Sequence, residues 1–148
     1  MNTFNNNILE SFSEVNKAIY KLEKLEADKH GITVVQLKTI YHINHNPNIG
    51  LSELAEKLRL TNSTVSGVVD RLVQNNFVER VIPHTDRRAI SLLLSKKGEE
   101  LLETIFSSDN ITIARLNGLL EIPEEEIQHL FRLHKLVLSK LKIQEEKI

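Results

Sequence analysis

The chain contains no cysteine, only five glycines and three prolines in 148 residues, and no 18-residue apolar segment. Without cysteine there is no disulfide framework, thiol nucleophile, thiolate metal site or cysteine-based oxidant switch. The glycines form no phosphate-cradling loop, and neither a nucleophile elbow nor a paired-carboxylate motif is present, so no enzyme and no cofactor is predicted. No N-terminal stretch joins a basic start to an apolar run, so neither secretion nor membrane spanning is supported, and a cytoplasmic protein is expected. There are six histidines, but His42 and His45 lie three apart and His129 and His134 five apart, with no carboxylate cluster of ligand spacing. No metal site is predicted from them, although a metal-responsive regulator stays among the alternatives.

Charge is present but unevenly spread. From Arg59 to Lys97 there are seven basic residues against three acids, a balance of +4, while the rest of the chain holds twelve against seventeen, leaving −1 for the whole. One face suited to phosphate, on a body repelled by it, accounts for such asymmetry.

The basic stretch overlaps the most informative pattern. Leu51, Leu54, Ala55 and Leu58 recur at helical spacing over a short amphipathic segment, and Arg59-Leu60-Thr61 breaks it. Thr61 can N-cap a second helix whose buried stripe is Val65, Val69, Leu72 and Val73. Asn62, Ser63, Ser66, Gly67, Asp70 and Gln74 fall on the opposite face, with Thr64 and Arg71 on its flank. A small, polar, hydrogen-bonding face of this kind suits a major groove. Residues 77–83 and 88–94 then read as the two strands of a hairpin around a basic tip, where Asp86 can orient Arg88, and Arg87 or Arg88 can reach phosphates or a minor groove. Ser95-Lys96-Lys97-Gly98 opens another capped helix.

This order of motifs, Leu51-Ser52-Glu53-Leu54-Ala55, Ser63-Thr64-Val65-Ser66, Val69-Asp70-Arg71-Leu72, Asp86-Arg87-Arg88 and Leu94-Ser95-Lys96-Lys97-Gly98, resembles the MarR (multiple antibiotic resistance regulator) family, with Ser95 where that family's wing signature has threonine. The resemblance implies a mainly α fold with a small β-hairpin wing: a winged helix-turn-helix over about 33–98, wing 77–94, between dimerisation helices over about 1–30 and 99–148, all in one domain. It implies that Asn62, Ser63, Thr64, Ser66, Gly67 and Arg71 meet the major groove of double-stranded DNA, while Arg88, steadied by Asp86 and beside Arg87, enters the minor groove. Many relatives carry arginine where this chain has Gly67, so one direct base contact is expected to be missing.

The flanks read as a dimerisation layer. Ile8, Phe12, Val15, Ile19 and Leu22 repeat at four-three-four-three along a helix from near Phe4 to Asp28, which His30-Gly31 closes. Thr33 to Asn44 makes a second helix. Another is expected from Gly98 to about Leu120, and the last opens at Pro123 with three glutamates in its first turn. That last helix is apolar on two sides, Ile127, Leu130, Phe131, Val137, Leu138 and Leu141 against Leu133, Leu136 and Ile143, and so calls for a second subunit. The resemblance adds a homodimer on a pseudo-palindromic operator and an amphipathic or phenolic effector, near Phe12, Tyr20, Tyr41, His42 and Arg115. The predicted function is a sequence-specific transcriptional repressor released by that effector. A protein-interaction module on the same scaffold is the competing reading, and the basic wing tip argues against it.

Overall fold

Helix starts in this chain are set largely by short polar side chains that satisfy the unpaired N–H groups of a first turn. The structure, a computed structural model, describes residues 7–83, 89–107 and 109–142. Along these run α1 (Asn7–Lys29), α2 (Val34–His45), β1 (Ile49–Gly50), α3 (Leu51–Leu58), α4 (Asn62–Gln74), β2 (Val78–Val81), β3 (Ser91–Leu94), α5 (Lys96–Ile105), α6 (Ile111–Asn117) and α7 (Glu124–Leu141). A 3-10 turn over Gly118–Glu121 precedes α7. Thr33 caps α2 reciprocally: Gln36 N–H donates to Thr33 Oγ1 at 3.1 Å, and Thr33 N–H donates to Gln36 Oε1 at 2.9 Å. Thr61 and Ser95 cap α4 and α5 through their hydroxyls alone, accepting from Thr64 N–H and Gly98 N–H. Gly31, at φ 67, turns the chain out of α1, and Ile32 N–H reaches back to Ala27 O at 3.1 Å.

The core lies where α2, α3, α4 and the sheet meet. Ile40 and Ile43 of α2, Leu54 of α3, Val65, Val69 and Leu72 of α4 and Leu92 of β3 are all enclosed. The expected α4 stripe is therefore buried, with Val73 only partly so. The hairpin strands pair antiparallel in the register Val78↔Leu94 to Val81↔Ser91, over fewer residues than the sequence suggested. A third strand, unforeseen, completes the sheet in the order β1-β3-β2, with Ile49 opposite Leu92.

One long helix over Gly98–Leu120 does not form. The chain leaves α5 at Phe106 and restarts at Ile111, because the Asn110 carboxamide accepts from Thr112 N–H and Ile113 N–H at 2.8 and 3.3 Å. A Ser-Ser-Asp-Asn run offers the backbone side-chain partners that compete with helix continuation. Pro123 stands just before α7 as its cap residue, its carbonyl accepting from Glu126 N–H at 2.9 Å. None of the residues of α7 is buried, and on α1 only Glu26 and Ala27 are. The predicted seam residues Ile8, Val15 and Ile19 face solvent in the isolated chain. Phe4 and Ile143 lie outside the described residues. Among the described residues no helix is long and apolar enough to cross a membrane.

Candidate nucleic-acid interface and adjoining cavity

The turn between α3 and α4 is tight because Arg59 takes a left-handed conformation, φ 55, which lets Leu60 N–H donate to Ala55 O at 3.0 Å. One side-chain bond then ties α4 to α3, Asn62 Nδ2 donating to Ser52 Oγ at 3.3 Å, while the Thr61 and Thr64 hydroxyls meet at 2.9 Å within the start of α4. Asn62, Ser63, Thr64, Gly67 and Arg71 are exposed, and Ser66 is half-buried. At Gly67 a Cβ would meet nothing within 4 Å, so packing in the free chain does not demand glycine there.

Asp86, Arg87 and Arg88 lie outside the described residues. The base of the wing is described, and it carries a link that the sequence did not disclose. Arg80 of β2 donates from Nη2 to Asp70 Oδ1 on α4, joining strand to helix across ten residues of chain. An exposed pair contributes little to stability, but it neutralises the one acid on the outward face of α4. Lys97 sits 4.5 Å over the Phe77 ring and donates to Asn75 O at 3.0 Å. Gly98 is required by a close approach: a Cβ there would stand 2.3 Å from Phe77 O, which already accepts from Ser95 N–H. The glycine of the Leu-Ser-Lys-Lys-Gly run thus lets α5 start against the base of the hairpin.

Behind this surface a cavity of about 310 Å³ opens between α1, α2, α5 and α6. Of the five residues expected near an effector, Tyr41 lines it. Phe12 and Tyr20 line a shallow groove along α1, His42 packs edge-on to Tyr41 at 5.7 Å outside the wall, and Arg115 is exposed and not part of it. Burial, followed by the charges of Lys57, His45 and Lys38, holds His42 below the ordinary imidazole range.

Four polar wall residues went unnoticed in the sequence: Glu23, Glu26, Lys38 and Thr112. Glu26 is 2% exposed and accepts from Asn110 Nδ2 at 2.8 Å, with His30 Nε2 at 3.3 Å and Lys29 Nζ at 3.4 Å. Burial alone would raise its carboxyl. The Asn110 bond, the adjacent Thr112 hydroxyl and the charge of Lys29, with the His30 contact, outweigh burial and hold it below the usual carboxylate value. A signal did exist: the four-three-four-three seam from Ile8 to Leu22 next falls on residue 26, a glutamate where an apolar residue was due. Among the described residues no three His, Asp or Glu side chains gather as a metal site. His45 Nδ1 donates to Tyr41 O at 3.0 Å, His129 Nδ1 accepts from Arg132 at 2.9 Å, and His134 packs on Phe12.

A profile described as the MarR family matches residues 32–90, from just before α2 to just before β3. The chain is 32% identical over 106 residues to the HTH-type transcriptional repressor MdtR of Bacillus subtilis, covering 71% of this chain and 67% of that protein. It is 25% identical, with a TM-score of 0.73, to a MarR/EmrR family transcriptional regulator from Acinetobacter sp. ADP1, over 95% of this chain and 98% of that one. MepR of S. aureus, solved as a DNA complex, shares the fold at a TM-score of 0.72 and 20% identity, over 89% and 96% of the two chains. The capped helix-turn-helix, the three-stranded wing base and these matches agree: the chain belongs to the MarR family of winged helix-turn-helix transcription regulators.

Proposed function

We propose that two copies of this chain pair through α1, α6 and α7 and repress transcription by holding a two-fold-related DNA site until a small effector enters the cavity. The observation that carries the DNA reading is the outward face of α4, where exposed hydroxyl and amide groups stand on a helix already fixed by Thr61 and by the Asn62–Ser52 bond. Such groups match the donor and acceptor pattern of base edges, and a helix ordered before binding loses little entropy on docking. On this reading Arg71 beside that face, with Arg87 and Arg88 of the wing tip, supplies the cations for phosphate and minor groove, and Asp86 would orient Arg88. The solved MepR–DNA complex and the repressor MdtR support this assignment by similarity. Pairing is supported by Ile111 and Leu120, 65% and 77% exposed, beside the bare faces of α1 and α7. Two reading heads would then meet half-sites about 10 bp apart.

The test is a binding selection on random duplexes followed by gel-shift titration. Ser63→Ala and Thr64→Ala should weaken binding to the selected site more than to random DNA, because neutral hydroxyls carry base information and release no counterions. Equal losses on both would overturn the reading of α4. Arg88→Ala should cost roughly 1–3 kcal/mol in operator affinity with the fold intact. Light scattering should return the mass of two chains, and a monomer at micromolar concentration would remove the paired arrangement.

A further inference from the structure

Resting on the effector reading above, we propose that the cavity between α1, α2, α5 and α6 selects aromatic amines, cationic hydrogen-bond donors on a compact apolar body, over aromatic carboxylates. The apolar part of the wall, with Leu22, Leu37 and Ile105 among its residues, suits a ring, and a volume of about 310 Å³ falls in the range of small-molecule sites. The polar part is unbalanced. Glu23 and Glu26 contribute two carboxylates against the single ammonium of Lys38. Glu26 is already served by Asn110 and His30. Glu23 is not: its Oε2 is buried and accepts no hydrogen bond, and Lys38 Nζ, 3.4 Å away, forms an ion pair without hydrogen-bond geometry. Lys38 itself is half exposed and hydrated.

A carboxylate oxygen can only accept, so what completes Glu23 must donate. Buried acceptors left without donors are uncommon in folded proteins because their lost hydration is not replaced. At the edge of the cavity Tyr41 and Phe106, both exposed, hold their rings 6.2 Å apart, and the faces of such rings attract a cation. A carboxylate in the same place would face two like charges. Wall charge, orphaned acceptor and aromatic edge all favour the ammonium.

Three probes that share one ring isolate the head group: 1-naphthylmethylamine, 1-naphthalenemethanol and 1-naphthoate, titrated calorimetrically into the full chain at pH 7. The amine should bind at least about tenfold tighter than the naphthoate, with the alcohol between them. Glu23→Gln should shrink that ratio to about threefold or less, and Lys38→Gln, which leaves both carboxylates in place, should widen it. Ile113→Trp, filling the cavity from α6, should abolish all three, which locates the site. Naphthoate binding as tightly as the amine would overturn the inference while leaving the effector cavity standing. A ratio unchanged in both Glu23→Gln and Lys38→Gln would overturn it as well. No binding by any probe would overturn the effector reading, and this inference with it.

Discussion

Two helices of this chain, α4 and α7, are both amphipathic and both rich in leucine or valine, yet their apolar residues end in opposite surroundings. In α4, Val65, Val69 and Leu72 are enclosed by α2, α3 and the sheet. In α7 no residue is buried, and Phe131, Leu136, Leu138 and Leu141 are each more than half exposed. Periodicity states that a helix face needs a cover, but it does not state which chain supplies the cover. The winged helix-turn-helix meets that need within one copy. The terminal helices do not, and that unmet requirement is what makes pairing an economical explanation of their composition.

The comparison can be broken most directly by matched leucine truncations. Leu72→Ala should destabilise the chain by about 2–5 kcal/mol, the range for emptying a closed core position. Leu138→Ala should change the unfolding free energy of the dissociated chain by no more than about 0.5 kcal/mol, while weakening self-association. Urea denaturation at low concentration, beside sedimentation at high concentration, separates the two effects. Similar losses in both variants would mean that α7 is covered within one copy.

Next in size is the junction between the two regions, where α5 leaves the wing. Gly98→Ala places a methyl 2.3 Å from Phe77 O and should cost about 1–3 kcal/mol by chemical denaturation. A neutral result would show that the hairpin base yields.

Glu26 sharpens the comparison from the other side, since it is the buried acid by which α1 holds α6. Its folded value lies below the ordinary 4.5, so its contribution is fully present above that pH and is lost as pH falls through the lowered folded value. Thermal unfolding followed from pH 7 to pH 3 should therefore decline more steeply in the parent chain than in Glu26→Gln. Parallel curves would remove Glu26 from the acid response. The smallest effect is expected at Gly67, where alanine should stabilise the free chain by about 1 kcal/mol, the site being open and helical. If that gain comes with weaker operator binding, the DNA backbone approaches α4 at Gly67.

Where a side chain dictates its own neighbourhood, the sequence was readable. Thr61 and Ser95 cap the helices expected of them, Gly31 ends α1, and α3 runs over Leu51–Leu58 as its spacing required. Where partners meet from distant parts of the chain, it was not. The two residues of β1 are too few to show alternation, and Asp70 gives no sign of Arg80 until strand and helix are packed. The break between α5 and α6 was visible as a polar run, but it was outweighed by apolar spacing that continued on both sides. The cavity wall was legible only at Tyr41, because Glu23 and Glu26 look like ordinary surface acids until α6 closes over them.

The central position of β3 has a mechanical consequence. It is bonded on one side to β2, the other wing strand, and on the other to β1, whose Gly50 is the residue from which α3 starts. Asn48 N–H adds a further bond to Leu92 O at 3.1 Å. The described base of the wing is thus clamped to the same backbone that carries the helix-turn-helix, and a torque on either is felt by both. Amide deuterium uptake at Ile49, Leu92 and Val81 should then slow down and speed up together, as one cooperative block. If two copies pair as proposed, an adjustment of the distance between two such blocks falls to the joints outside them, among which Glu26 ties α1 to the Asn110 cap of α6.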